Sequence, residues 1–511
     1  MKIIGTSNNV RLLHWSNDEA TVFYESDGNL FRLDIATQET AQITSFESVR
    51  GRTRYFGVSP DEAKIVYVDQ TDGQTDLWMA LITNGSSVRL TNDKDAEILP
   101  RWHPDGKRIL YTVNRNNYNQ INVAYTDQRP PQQVTRSDSE YRMIDVSSDG
   151  TKIYYFSQEK KSDIWGVSTE TGEEFEIATG LESEYWPDVS LDGHAIAYQS
   201  NLPTEFSFRR NPSIIVKSLT NEVPPLSVKG YNPRWLPDSQ CVAFLRWQAT
   251  EQKLDLWLIN TKNGEERQIT KASVNAPGYS FLPYNRNQTR EYSWSPDSGK
   301  VVFVAKESGA WNILMTSLES DETVNFTHNT NPNLVYYAPL WSADIKRIAF
   351  VSQEKPEASD QKTVWKIWVV ENGKPKEIYT TTAQLRLLGW TVEGDLVLEE
   401  SDMPMAARPL DIKLRRISAA GQKRSETVFR NIYVTSMSLS VDGKLVAFTV
   451  RQDDKDNIWL ARTSGDEIRK ITTNSNSRLF YGSPVISPNG KTIFFDKQEE
   501  TKTISRLDNF E

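Results

Sequence analysis

Apolar and polar positions alternate along the chain in short runs of roughly four to eight residues, and no stretch holds a helical period. A run such as Lys300-Val-Val-Phe-Val-Ala305 is bounded by Ser, Pro, Asp, Asn and Gly, the residues that build turns. The pattern predicts strands from end to end. One unit recurs eleven times: HWSNDEATVFY from His14, then units starting at Val58, Trp102, Val146, Val189, Trp235, Trp294, Trp341, Trp390, Leu439 and Ile486. Its acidic or Asn position falls at Asp18, Asp61, Asp105, Asp149, Asp192, Asp238, Asp297, Asp344, Glu393, Asp442 and Asn489. Spacings lie between 43 and 49 residues, apart from one of 59 between Asp238 and Asp297.

Each unit has one grammar. A short apolar stretch ends in Trp or Val. Ser-Pro-Asp-Gly then makes a tight turn, because Pro presets φ, Asp bonds its own backbone and Gly tolerates positive φ. A β-rich run follows, then a third run such as Asp76-Leu-Trp78, Asp163-Ile-Trp165, Asp255-Leu-Trp257 or Asn457-Ile-Trp459. A polar turn leads to a fourth short strand ending Ile-Thr or Leu-Thr, as at Thr44, Thr91, Thr270 and Thr472. Four short antiparallel strands per repeat of this length describe a β-propeller blade. The motif resembles the TolB-like, WD40-like (PD40) propeller repeat, which also builds the propellers of prolyl-oligopeptidase-type and tricorn-type proteases. The resemblance covers essentially the whole chain and implies an all-β fold of about eleven four-stranded blades.

Eleven blades exceed the four to eight of a usual ring, so two propellers are expected. The longest spacing places a hinge or insertion at 272–289, with a first propeller of about six blades over 8–271 and a second of about five over 290–511. After Ile486 only two strands are expected, Thr492–Lys497 and Thr503–Leu507. Residues 1–7 match a spare fourth strand, so they are expected to complete the C-terminal blade and cover its open edge.

Composition narrows the partners. Lys+Arg 59 against Asp+Glu 68 gives a net charge of −9, which argues against a nucleic-acid binder and against adhesion to an anionic membrane. One cysteine, Cys241, excludes an intrachain disulfide framework and a cysteine-rich zinc site. No apolar run approaches the roughly 18 residues of a membrane span, and MKIIGTSNN has no signal-peptide core. Three origins stay open: a trimmed mature protein of the periplasm, a sensor domain of a longer chain, or a complete cytoplasmic protein.

Catalytic signatures are sparse. Gly57-Val-Ser-Pro-Asp61 is a blade turn and not a nucleophile elbow. Glu399-Glu400 ends a blade strand and resembles an amine clamp only superficially. His14, His103, His194 and His328 are spread among different blades, so no shared metal site is expected. Asp93/Asp95/Glu97 and Asp453/Asp454/Asp456 are candidates for structural Ca²⁺, with solvated surface charge as the plainer reading. No other cofactor is expected.

Loop parity divides the two faces of a propeller. The Ser-Pro-Asp-Gly turns and the turns between strands three and four share one face, here the turn face. The longer insertions and the segments leading into each blade share the other, the crossover face. The crossover segments carry Arg52, Arg54, Tyr55, Tyr185, Trp186, Tyr231, Arg234, Arg290, Tyr292, Tyr336, Tyr337, Arg478 and Tyr481. Arg, Tyr and Trp anchor interfaces and ligand mouths, so these are the candidate binding residues, with packing between blades as the competing role. The expected function is a non-catalytic binding, scaffold or sensor module for a protein, peptide or small ligand. The alternative is a propeller-based hydrolase or lyase, or the substrate-gating propeller of a protease whose catalytic domain lies elsewhere.

Overall fold

The computed structural model describes residues 10–508 apart from 27, 46–54, 72–73, 116–117, 136–139, 181, 202–211, 222, 249–252, 271–273, 275–291, 355–362 and 402–409. The described residues form strands, turns and bridges, without a helix. Seven sheets hold four antiparallel strands each; one further sheet holds five strands and one holds seven. The seven-stranded sheet is two blades sharing the long strand Lys423–Leu439. Every one of the eleven sequence repeats makes the turn between the first and second strand of a blade.

The repeat grammar works through hydrogen bonds. In the turns, the Ser hydroxyl donates to the Asp two residues on, at 2.5 Å for Ser59–Asp61, Ser190–Asp192 and Ser295–Asp297. The same hydroxyl accepts the backbone N–H five residues on, as from Lys64 and Lys300. The terminal Thr of strand four accepts an N–H from strand three: Leu30 to Thr44, Leu77 to Thr91, Ile121 to Thr135, Leu256 to Thr270, Ile313 to Thr327 and Ile458 to Thr472. One hydroxyl, buried in all of these but Thr327, thus fixes the edge of each blade.

Contacts divide the chain into two units, residues 1–159 with 501–511, and residues 160–500. The first unit contains blades 1 to 3 (residues 10–42, 56–89 and 96–133), packed in chain order. Its fourth blade is built from Glu140–Val146 and halves of two 17-residue strands, Lys152–Ser168 and Thr492–Asp508. The second unit is a ring of seven. Blades 5 to 10 run from Ser183 to Lys470, and blade 11 joins the chain ends of this unit: Leu479–Ile486 and the start of Thr492–Asp508, beside the end of Lys152–Ser168 and Glu174–Ala178. Ile164 and Phe494 of blade 11 pack on Ile196 and Tyr198 of blade 5, and Phe495 and Tyr481 on Ala447 and Ile458 of blade 10. The ring closes on its own ends.

The described residues depart from the expected arrangement at three points. The contact division lies away from 272–289, where Val274, inside that segment, pairs with Ala305 and shares one core with blades 6 and 7. Residues 1–7, expected to complete the last repeat, lie outside the described residues; the positions beyond its second strand are taken by Lys152–Ser168 and Glu174–Ala178. Finally, Thr492–Lys497 and Thr503–Leu507 are one strand. Gln498-Glu-Glu-Thr-Lys502 carries no residue that favours a turn, so nothing breaks the ladder there.

Candidate functional site

The structure sets most of the sequence-derived aromatic candidates between blades. Tyr185, Tyr231, Tyr292, Tyr336 and Tyr481 are buried. Tyr231 and Tyr292 share one core cluster, and the Tyr292 hydroxyl donates to the Asn232 carbonyl at 3.1 Å. Tyr336 meets Phe350 edge-on, with centroids 5.3 Å apart. Tyr481 donates to Glu174 at 3.0 Å, and burial with that carboxylate pushes its hydroxyl up. Tyr337 donates to Gln353 at 2.6 Å, and burial pushes it up to about 12. Tyr55 packs against the core between blades 2 and 3. Arg234 lies 3.6 Å from Asp188. Half-buried Trp186 and exposed Arg478 remain accessible, while Arg52, Arg54 and Arg290 lie outside the described residues. The first strand of each blade is the innermost, so its aromatics fill the wedge between neighbours.

A backbone kink that the repeat motif does not encode shapes that inner strand. Leu99, Trp186, Asn232, Ala338 and Ser483 all have positive φ, between 47° and 56° for the middle three, and each precedes a proline. The ladder shifts at these points in blades 5, 6, 8 and 11. Its sequence sign is Pro-x-[Trp/Val/Ile] ahead of the turn: Pro100, Pro187, Pro233, Pro339 and Pro484. The kink turns backbone N–H groups toward the preceding blade, where acids accept them. Asp188 takes the Trp235 N–H at 2.7 Å, Asp456 the Tyr481 N–H at 3.2 Å, and Asp496 that of Trp186. Burial pushes Asp496 up.

Of the acidic candidates, Glu97 and Asp456 are buried, Asp93 and Asp95 are half-buried, and Asp453 and Asp454 are exposed. Asp456 is buried and held bidentately by Arg451 at 2.8 and 2.9 Å. Glu97 is 0% exposed, and neither carboxyl oxygen has a hydrogen-bond partner of normal geometry. Among the described residues no three His, Cys, Asp or Glu side chains converge to hold a metal. Glu399 and Glu400 point to opposite sides of their strand. Glu399 pairs with Arg386, and Glu400 with Arg415, Tyr379 at 3.0 Å and Thr381 at 2.8 Å. Both carboxylates are therefore spent internally.

Exposed apolar side chains gather instead on the turn face of the seven-blade ring. Val392 (55% exposed), Val441 (59%) and Leu191 (41%) occupy the position of first turns where most other repeats place Pro or a polar residue, and Ile345 (39%) follows the turn residue Asp344. Val223 and Ile468 stand at turns between strands three and four on the same face. Neighbouring turns touch: the Val392 N–H donates to the Asp442 carbonyl at 3.3 Å, and the Arg347 guanidinium lies against Gly394. Ile345, Val392 and Val441 thus lie on turns of three successive blades that abut one another.

Such sheets, wedged radially and stitched between neighbours, define a β-propeller protein. Residues 6–208 match the family model PD40, described as the TolB beta propeller domain, in agreement with the repeat resemblance. An uncharacterized protein of Agrobacterium fabrum, Atu1656, is 24% identical over 47% of this chain and 85% of its own length. The Tol-Pal system protein TolB of Francisella tularensis subsp. mediasiatica is 22% identical over 56% of this chain and 53% of its own, so the chain spans about half the length of that relative. Among solved structures, the β-propeller domain of the Trilobed protease from Pyrococcus furiosus is similar over 65% of this chain and 99% of that one, at 15% identity and a TM-score of 0.46.

Proposed function

We propose that the protein is a binding scaffold whose seven-blade ring receives a protein partner on its turn face. The observation that carries this reading is the row of exposed aliphatic side chains, Ile345, Val392 and Val441, on abutting turns of a rigid ring. Monomeric surfaces seldom group large apolar side chains, and such groups mark interaction sites. TolB relatives, named for the Tol-Pal system, support a protein as the ligand class. The crossover face, where Trp186 and Arg478 are accessible, is the competing surface.

The test is crosslinking in the native host with a photoreactive residue at position 345, 392 or 441, against the same residue at position 478. Adducts with one partner from the turn-face positions, lost when the untagged neighbours are Val392→Asp or Val441→Asp, are expected. Adducts confined to position 478 would refute the assignment of face. A thermal transition unchanged by Val392→Asp shows that the loss reflects binding.

A further inference from the structure

Two seams between neighbouring blades each close on a buried glutamate that faces an aspartate of the blade before. At the seam of blades 2 and 3, Glu97 stands on the innermost strand, fully buried and without a proper hydrogen-bond partner for either oxygen. Across from it on blade 2 stands Asp76, also fully buried. Asp69 lies opposite Asp76 in the ladder, and Asp93 comes from the loop that joins the blades. Arg89 is committed to Asp76 at 2.5 Å. The Thr91 hydroxyl already accepts the Leu77 N–H and offers Glu97 weak relief. On its own sheet Glu97 pairs with Val113, which brings no charge. Glu97 thus meets the charges of Asp76 and Asp93, while the Arg89 guanidinium is bound to Asp76.

The arrangement occurs again at the seam of blades 11 and 5. Glu184 stands three residues before Pro187, as Glu97 stands three before Pro100. It is buried, and its Oε2 lacks a partner. Across the seam stands Asp163, whose cation Lys161 lies 3.3 Å away. Glu182, bonded by the Ser200 hydroxyl, and Tyr198 complete the surroundings. Two blades far apart in sequence thus carry the same acid at the same step of the inner strand, facing an Asp of the blade before. At the corresponding step blades 8 and 11 carry Tyr336 and Tyr481, neutral groups that fill the seam.

We propose that Glu97 and Glu184 each keep a proton under neutral conditions, that these protons lock the two blade seams, and that the seams loosen as the protons leave. An ionised carboxylate in a dry seam costs several kcal/mol unless a cation or donors meet it, and here the cations serve the opposing Asp. Burial, then the charges of Asp93 and Asp76, push Glu97 up to about 8. Burial, then Asp163, push Glu184 up to about 8. The sign follows from linkage. A carboxyl raised in the closed seam favours closure fully below its ordinary value, and that contribution is lost as pH rises toward about 8. Opening then releases one proton, so the opening constant climbs about tenfold per pH unit across that window.

The experiment is hydrogen exchange, corrected for intrinsic rates, at the Leu77 and Leu90 amides of the first seam, from pH 5.5 to 7.5. The Ile458 amide of blade 10 is the internal reference. Opening at Leu77 and Leu90 is expected to rise about a hundredfold over that range in the native chain and to stay flat in Glu97→Gln. An equal slope in Glu97→Gln, or a flat profile in the native chain, overturns the proposal. Should Glu97→Gln fail to fold, infrared spectra of the native chain decide. A protonated carboxyl band at pH 7 that fades by pH 9.5 supports the proposal, and its absence at pH 7 ends it.

Discussion

Ser295 shows how much one hydroxyl organises. It donates to Asp297 at 2.5 Å and accepts the Lys300 N–H at 2.9 Å, tying both ends of its turn to one buried atom. The Ser295 hydroxyl and then the Gly299 N–H hold Asp297 below the usual carboxylate range. A carboxylate lowered by folding contributes stability above its ordinary value, and that contribution fades as the pH falls through its folded value. Ser295→Ala is therefore expected to return Asp297 toward the ordinary value and to weaken the acid-side dependence of blade 7. The Lys300 N–H loses its partner as well, at a cost of about 1–3 kcal/mol. An NMR titration of Asp297 in both proteins measures the first effect and exchange at the Lys300 amide the second. An unmoved titration would mean that the hydroxyl merely accompanies the turn.

At the scale of elements, the blades were legible in the chain because turn chemistry is local. Ser, Asp and Gly act within five residues of one another, so eleven turns follow from eleven motifs. What crosses between blades was not legible. Tyr185, Tyr292 and Tyr481 look alike as binding residues or as mortar until the neighbouring sheet is in place. The acids that receive inner-strand N–H groups sit tens or hundreds of residues away, as Asp496 does from Trp186. Blade-to-blade contact is nonetheless measurable. Gly443 has φ +71°, and an added Cβ would fall 2.4 Å from the Thr391 Cα and 2.8 Å from the Trp390 carbonyl of the previous blade. Gly193 has φ +76° but open space around it. Gly193→Ala should cost only the backbone strain, about 1–2 kcal/mol, whereas Gly443→Ala must also push two blades apart. Denaturant titrations of the two variants should differ clearly, with Gly443→Ala the less stable. Equal losses would mean that the turns of blades 9 and 10 yield without cost.

For the whole molecule, the decisive fact is that chain order and unit order differ. The longest spacing between motifs falls inside the seven-blade ring, because a loop between blades 6 and 7 can lengthen at small entropic cost while their cores stay fused through Tyr231, Val274 and Tyr292. Contacts divide the chain at 159/160 and 500/501, inside two uninterrupted strands whose sequences, Gln158-Glu-Lys-Lys161 and Gln498-Glu-Glu-Thr-Lys502, give no turn signal. A fragment of residues 160–500 holds every strand of the ring, including both halves of blade 11, where Glu174 on one end of the fragment meets Tyr481 and Lys497 on the other, at 3.0 and 2.8 Å. It is expected to fold alone with a cooperative thermal transition and protected amides at Ile164 and Phe494. A fragment of residues 290–511 lacks blades 5 and 6 and the outer strands of blade 11, leaving the buried faces of Tyr292, Trp294 and Phe494 in water. It should aggregate or melt without cooperativity, since each blade has no core apart from its neighbours. Differential scanning calorimetry of both fragments settles the matter: a cooperative transition in 290–511, or none in 160–500, would place the ring's closure elsewhere than in blade 11.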